Sequence, residues 1–107
     1  MAKQLVPTPA TVPSWTFLTN HAHVLVCIAQ NTEVRLAEIA RRVGIGERAA
    51  HAIVQDLVDA GYVLRTRSGR HNVYEVQLDR PLRHPLEASH QISDVFGPLT
   101  TPEPGTA

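Results

Sequence analysis

Four side chains that can contact the edges of DNA base pairs recur at helical spacing in the middle of this 107-residue sequence. They are Arg48, His51, Ala52 and Gln55, at positions i, i+3, i+4 and i+7, which share one face of a helix. Arg48 can bond to guanine O6 and N7, Gln55 to adenine N6 and N7, and Ala52 can touch a thymine methyl. The pattern predicts a base-reading face led by Arg48 and Gln55. The alternative for each of these two side chains is a contact with phosphate or water alone.

A second set of residues has donors suited to phosphate oxygens or to the minor groove. Arg65, Arg67 and Arg70 flank a predicted turn at Gly69, where an extended loop can enter a minor groove or clamp phosphates. The complete set is Arg41, Arg42, Arg65, Arg67, Ser68, Arg70, His71 and Asn72. A row of arginines is also typical of an ordinary solvated surface, which is the alternative interpretation.

The formal net charge is zero, which by itself argues against a nucleic-acid partner. The charges are segregated along the chain, however. The stretch from Arg35 to His71 holds seven arginines against four acidic residues, and the rest of the chain holds three basic residues against six acidic ones. The positive stretch coincides with the candidate contact residues, so we expect a directed basic face with modest non-specific affinity for DNA.

Hydrophobic periodicity places the base-reading face on the third of three helices. The predicted helices cover residues 19–30, 36–43 and about 46–60. Gly44 and Gly61 are the stop signals of the second and third helices. The apolar face of the third helix consists of Ala50, Ile53, Val54 and Leu57. The opposite, polar face of this helix is therefore expected in solvent.

After the third helix the apolar period changes to two, which predicts a β-hairpin with a basic tip. Tyr62 and Leu64 are expected on one face of its first strand, and Val63 and Arg65 on the other. The tip is the segment that carries the candidate phosphate contacts. The hairpin therefore supplies a second contact element next to the third helix.

Two short helices separated by Gly44-Ile45-Gly46 and followed by a basic hairpin resemble the winged helix-turn-helix family. In that pattern a small residue precedes a turn glycine by four positions, as Ala40 precedes Gly44. Over about residues 18–78 the order of elements is similar to that of the small MarR-like and ArsR-like bacterial transcription regulators. The resemblance implies a mainly α fold with a small β-hairpin (α+β), a winged helix-turn-helix with an additional C-terminal helix.

The resemblance also implies a function: a sequence-specific double-stranded DNA-binding transcriptional regulator, acting as a repressor that occludes polymerase. The recognition helix, about residues 46–60, would lie in the major groove, and the wing, about residues 65–72, on the minor groove and phosphates. The alternative is a winged-helix protein–protein interaction module without DNA binding. No cofactor is expected, and no convergent polar group identifies a small-molecule effector.

Composition predicts the domain organisation, because three prolines lie within residues 1–13 and three more within residues 98–107. The predicted units are a flexible N-terminal arm over 1–14, the winged helix-turn-helix domain over 15–80, a C-terminal helix over 81–97 and a disordered tail over 98–107. The C-terminal helix is also a candidate dimerisation element.

A homodimer is expected because the terminal helices carry apolar side chains that a small monomer leaves uncovered. The second half of the first helix is apolar on nearly every side, and a last helix from about Pro85 to Phe96 has apolar residues too sparse for a monomer core. The predicted interface consists of Trp15, Phe17, Val24, Ile28, Leu86, Ile92, Val95 and Phe96. The alternative is a terminal helix that lies back on its own domain.

Other chemistries find little support in the sequence. His23 and Cys27 are one helical turn apart, but two ligands are not a metal site, and Cys27 is more typical of a small buried side chain than of a redox sensor. No nucleophile triad, phosphate loop or paired carboxylates predict an enzyme.

The longest apolar run, Val24 to Ala29, has six residues, far fewer than a membrane span needs. With one cysteine and no leader pattern, we expect a bacterial cytoplasmic protein that joins the nucleoid when bound to DNA.

Overall fold

The fold consists of three helices, a β-hairpin and a short C-terminal helix, which confirms the predicted α+β winged helix-turn-helix. The structure is a computed structural model and describes residues 12–100. The elements are α1 (Asn20–Gln30), α2 (Leu36–Val43), α3 (Glu47–Asp59), β1 (Val63–Ser68), β2 (His71–Val76), α4 (Ile92–Phe96) and a 3₁₀ turn (Gly97–Leu99). Residues 1–11 of the predicted arm and 101–107 of the predicted tail lie outside the described part of the chain.

Local signals fix the ends of the first three helices close to their predicted positions. The hydroxyl of Thr19 accepts a hydrogen bond from the amide of Ala22 and caps the start of α1. Gly44 ends α2 in the left-handed conformation, with φ of 87°, and Gly61 follows α3 with φ of 85°. These angles favour glycine because a Cβ is strained there.

The core forms around α1, which packs against α2, α3 and β2. Val24 and Ile28 on this helix are both 0% exposed. Both residues were predicted at an interface between subunits, but the chain's own helices and hairpin bury them. The largest fully buried side chains elsewhere are Ile39, Val54 and Val63.

The hairpin is antiparallel, and its register corrects the predicted faces of β1. Val63 pairs with Val76 and is buried, whereas Leu64 is half exposed. Tyr62, just before the regular strand, is buried as well, and its hydroxyl donates to the carbonyl of Pro81 at 2.6 Å. The amide of Tyr74 in β2 donates to the carbonyl of Thr32 at 2.8 Å, which attaches the hairpin to the loop between α1 and α2.

The C-terminal segment is mostly irregular, so the predicted helix from Pro85 to Phe96 is confined to Ile92–Phe96. Backbone hydrogen bonds from Leu82 to His90 and from Ile92 to Arg80 fold the preceding residues into a loop instead. The helix begins where Asp94 accepts a hydrogen bond from the amide of Gln91 at 3.0 Å. Ile92 and Phe96 enter the core, which places this segment back on its own domain.

Candidate nucleic-acid interface

The polar face of α3 lies in solvent as predicted. Arg48, His51 and Ala52 are exposed, and the apolar side of the helix is buried against α1 and α2. No described side chain forms a hydrogen bond or ion pair with Arg48 or His51. These two side chains are therefore available to an external partner.

Gln55 has a different environment from the other three residues of this face. Its side-chain amide donates to Asp59 at 2.9 Å, and its side-chain carbonyl accepts from the guanidinium of Arg65 at 3.0 Å. Both ends of the group are thus engaged within the protein. The predicted base reader instead connects α3 to the first strand of the wing.

The wing tip is a two-residue turn formed by Gly69 and Arg70 between the paired residues Ser68 and His71. Gly69 adopts φ of 63°, the left-handed conformation that a tight hairpin turn needs. The guanidinium of Arg67 donates to the carbonyl of Gly69 at 3.1 Å, a hydrogen bond within the tip that stabilises the turn. Arg70 is exposed, and none of the described side chains pairs with it.

A cleft of about 300 Å³ separates the start of α2, the polar face of α3 and the wing. We call it the wing cleft, and its polar lining is Arg35, His51, Arg65, Arg70, His71 and Asn72. Apolar side chains, including Val54 and Tyr74, form the rest of its wall. The structure therefore brings predicted residues of the third helix and of the wing to one basic surface.

The two arginines at the end of α2 are engaged within the protein. The Arg41 guanidinium donates to the Glu38 carboxylate, with Nε at 3.1 Å from Oε1. This hydrogen bond lowers the pKa of the Glu38 carboxyl and raises that of Arg41, so the pair stays charged. Arg42 donates to the side-chain carbonyl of Gln30 at 2.8 Å. Neither guanidinium is as free as that of Arg70.

A model of the MarR family matches residues 16–71, just over half of the sequence. The chain belongs to the MarR family. The predicted resemblance to the MarR-like regulators is thereby confirmed. A comparison with curated proteins gives no match.

The crystal structure of the zinc-dependent MarR family transcriptional regulator AdcR, in its Zn(II)-bound state, is similar to this MarR-family chain. The similarity covers 61% of this chain and 47% of AdcR, at 20% sequence identity and a TM-score of 0.45. This chain thus matches about half the length of AdcR. The zinc dependence is a property of AdcR.

Arg35 is the residue of this surface that the sequence did not single out. It directly precedes α2 and lines the wing cleft opposite the hairpin. One sequence feature that could have indicated Arg35 is its position as the first arginine of the arginine-rich stretch. Its distance from the wing is set by the tertiary fold, however, and no local pattern reports that distance.

The predicted dimer residues divide into two groups. Val24, Ile28, Ile92 and Phe96 are buried in the core of this MarR-family chain, so they cannot supply surface to a second copy. Trp15, Phe17, Leu86 and Val95 are exposed, with Phe17 at 91% and Leu86 at 87%. The rings of Trp15 and Phe17 contact each other edge to face at 5.1 Å between centroids. We call these four exposed residues the terminal patch.

Within residues 12–100, no group of three or more histidine, cysteine or acidic side chains is arranged to hold a metal ion. Cys27 is buried between helices, and this burial raises the pKa of its thiol. None of the described helices is long and apolar enough to cross a membrane.

Proposed function

We propose that this MarR-family protein binds double-stranded DNA at specific sequences and regulates transcription. The observation that carries the proposal is the shared lining of the wing cleft, in which His51 of α3 lies near Arg65 and Arg70 of the wing. A helix and a hairpin tip on one basic surface can contact neighbouring grooves of B-DNA together. Carboxylates are absent from the described lining of this cleft, which suits a polyanionic partner.

In the proposed complex α3 lies in the major groove and the wing reaches the adjacent minor groove. Arg48 is the strongest candidate for base reading, since its guanidinium is free and can form two bonds to guanine. His51 and Ala52 flank it on the same exposed face. Gln55 is the weakest of the four base-contact candidates, because Asp59 and Arg65 already engage both ends of its amide, and its main proposed role is to hold the wing.

The remaining polar residues are proposed to contact the DNA backbone. Arg70 at the tip is the strongest candidate, because its guanidinium has no described partner and can enter a minor groove or contact phosphates. Arg67 lies beside it, with its Nε donating to the carbonyl of Gly69. The other proposed backbone contacts are Arg41, Arg42, Arg65, Ser68, His71 and Asn72. Of these, Arg41 is the weakest candidate, because Glu38 already occupies its guanidinium.

We propose that the protein acts as a homodimer through the terminal patch, with Trp15, Phe17, Leu86 and Val95 at the interface. Phe17 and Val95 border a second cleft, of about 330 Å³, which Arg83 and Glu87 also line. In an isologous contact the same patch on each of the two subunits would meet. Such a dimer binds two half-sites about 34 Å apart, in a pseudo-palindrome.

Repression is the proposed mode of regulation. A dimer seated on such a site covers DNA that polymerase would otherwise occupy, and this mode needs no further contact with the transcription machinery. Because the proposed partner is chromosomal DNA, the proposed location is the bacterial cytoplasm, with the nucleoid as the site of the bound form. No effector is proposed.

The decisive experiment is selection of bound sequences from a random duplex library with the full chain. The expected product is a two-fold motif bound with an affinity that falls steeply as salt rises, because several phosphates are neutralised. Failure to bind any duplex at low salt would reject the proposal and favour the protein-interaction module. An enriched motif without two-fold symmetry would keep DNA binding and reject the dimer.

A further inference from the structure

The segment of residues 77–81, which we call the strap, follows β2 and bonds to the junction between α3 and the first strand of the wing. We propose that Arg80 of the strap is a positioning residue, which fixes the direction in which the wing leaves α3. The hold of Arg80 on the junction concerns this chain alone, whereas its effect on DNA binding rests on the proposed function.

Helix α3 ends in a backbone arrangement that favours glycine. The amide of Gly61 donates to the carbonyl of Val58, and the amide of Tyr62 donates to the carbonyl of Leu57. These are the two hydrogen bonds of a Schellman motif, with Gly61 at φ of 85°. The carbonyl of Gly61 takes no part in either bond, so it can accept from a donor elsewhere in the chain.

Arg80 supplies that donor from 19 residues away. Its Nε donates to the carbonyl of Gly61 at 3.2 Å, and a Cβ at Gly61 would overlap Nη2 of the same guanidinium. The backbone of Arg80 is held in turn, because its carbonyl accepts from the amide of Ile92 at 2.9 Å. The guanidinium therefore covers the junction in the space that the absent side chain of Gly61 leaves open.

The charge of Arg80 suits this end of the helix. The carbonyl end of an α-helix carries a partial negative charge, which a nearby cation stabilises. The last turn of α3 contains no basic residue, and Asp56 and Asp59 add negative charge to it. His21 contacts Asp56 at 2.8 Å, and Gln55 donates to Asp59. Arg80 brings a permanent positive charge to the same end of the helix.

Two further hydrogen bonds attach the strap to Tyr62, the residue after this glycine. The amide of Gln77 donates to the carbonyl of Tyr62 at 2.8 Å, and the Tyr62 hydroxyl donates to the carbonyl of Pro81 at 2.6 Å. Substitution of the Arg80 side chain removes neither bond. We therefore expect the strap to stay in place in an Arg80 variant, so that the effect is confined to the junction.

The junction sets the angle between the two elements proposed to contact DNA. The first strand of the wing starts at Val63, two residues after Gly61, and its six residues span about 20 Å. A rotation of about 10° at the base of such a strand moves its tip by about 3 Å, the length of a hydrogen bond. The bond between Arg65 and Gln55 constrains the same angle farther along the strand. The losses of the two contacts are therefore expected to be non-additive.

The DNA test measures the affinity of Arg80→Met for the selected duplex. We expect binding to weaken about fivefold, the equivalent of one hydrogen bond. The slope of log affinity against log salt should stay the same, because no phosphate contact is lost. Arg80→Lys keeps a cation and a donor and should recover most of the affinity. The matched control is Arg83→Met, which removes an exposed arginine with no described hydrogen bond to α3 and should bind like the natural chain.

A double variant tests whether Arg80 and Gln55 control the same angle. Two independent losses of about fivefold would multiply to about 25-fold. We expect Arg80→Met with Gln55→Met to weaken binding clearly less than this product, because the first change already frees the angle that the second contact constrains.

The test without DNA measures amide hydrogen exchange in the ¹⁵N-labelled full chain. Arg80→Met should speed exchange of the Tyr62 amide about fivefold, because the end of α3 opens more often when one hydrogen bond is lost. The amide of Gly44, which donates to the carbonyl of Ala40 in the other turn of the motif, should exchange at its natural rate. The same spectra report whether each variant is folded.

Each contrary result has a definite meaning. Unchanged exchange at Tyr62 would overturn the hold of Arg80 on the junction, whether or not DNA is bound. Faster exchange with unchanged affinity, or additive losses with Gln55→Met, would reject the positioning role. A salt slope reduced by about one would show a phosphate contact instead, and equal weakening by Arg83→Met would show a general effect of charge. Faster exchange in a chain that binds no duplex would support the hold on the junction and reject the proposed function.

Discussion

The guanidinium of Arg65 donates a hydrogen bond to the side-chain carbonyl of Gln55 at 3.0 Å, joining the wing to α3. Asp59 accepts from the other end of the same amide, so the contact is fixed from both sides. The two elements proposed to enter neighbouring grooves are therefore held at one relative position before DNA arrives. We propose on this basis that Gln55 positions the wing.

The first prediction concerns Gln55→Met, which keeps the length of the side chain and removes the acceptor. Because the wing loses its tie to α3, we expect affinity to fall about fivefold, equivalent to about 1 kcal/mol for one hydrogen bond. The loss should be the same for the selected duplex and for every single-base variant of it, as measured by fluorescence anisotropy. Loss of preference at one base pair would instead show that Gln55 reads that base.

The second prediction compares Arg70 with the Arg41 and Glu38 pair. Arg70→Gln should reduce the slope of log affinity against log salt by about one, because it removes one phosphate contact. The double variant Arg41→Gln with Glu38→Gln removes a pair that is internally neutralised and leaves the net charge unchanged. We expect it to reduce the slope less than Arg70→Gln does, because Glu38 already engages the guanidinium of Arg41, and an equal reduction would contradict this order of the two arginines.

The third prediction tests the turn between α2 and α3. Gly44 has φ of 87°, so Gly44→Ala should lower the free energy of unfolding by about 1–2 kcal/mol. Gly46 has φ of −74°, and no atom from outside its own stretch of backbone lies within 4 Å of the point where an alanine Cβ would stand. Gly46→Ala should therefore change the free energy of unfolding less than Gly44→Ala, because the preference for glycine over alanine at this N-cap is offset by the lower entropy of the unfolded chain. Urea unfolding followed by circular dichroism measures both, and equal effects would contradict a conformational requirement at Gly44.

The fourth prediction concerns pH and Cys27. Burial raises the pKa of this thiol, so the folded state holds its proton at a pH where the unfolded chain releases it. The protonated thiol therefore makes its full contribution to the free energy of unfolding below about pH 8.5, the ordinary pKa of a thiol. This contribution is lost as the pH rises above that value. Urea unfolding from pH 7 to 10 should show a steeper decline for the natural chain than for Cys27→Ala. Identical slopes would show that burial does not affect the thiol.

The fifth prediction separates the terminal patch from the core. Phe17→Asp should convert the dimer to a monomer in sedimentation while leaving the unfolding of the monomer nearly unchanged, because Phe17 is 91% exposed. Phe96→Ala should lower the free energy of unfolding by about 3–5 kcal/mol, because its ring is buried in the core. A dimer that survives Phe17→Asp would place the interface elsewhere.

The helices could be predicted from the sequence because their signals are local. Apolar residues at helical spacing and glycines in the left-handed conformation, Gly44 and Gly61, define α2 and α3 with no information from the rest of the chain. The polar face of α3 follows from the same periodicity. The position of Arg48 on that face was therefore predictable, although its partner in DNA is not.

The errors arose where distant residues meet. Leu64 was expected to share the face of Tyr62, but the contact of Tyr62 with Pro81, 19 residues away, allows two consecutive residues to be buried. Ile92 and Phe96 were expected at a dimer interface, and the loop that returns them to the core depends on backbone contacts invisible in a linear pattern. The pairing of Gln55 with Arg65 likewise depends on the angle between α3 and the hairpin.

The bond from Tyr74 to Thr32 has a mechanical consequence for the wing. With its base anchored to the loop between α1 and α2 and its first strand anchored by Gln55, the hairpin can bend mainly at its tip, near Gly69. Because only the tip bends, the wing adjusts little to the width of the groove that it enters. Stiff and flexible stretches of DNA would then differ in affinity at base pairs that no side chain touches.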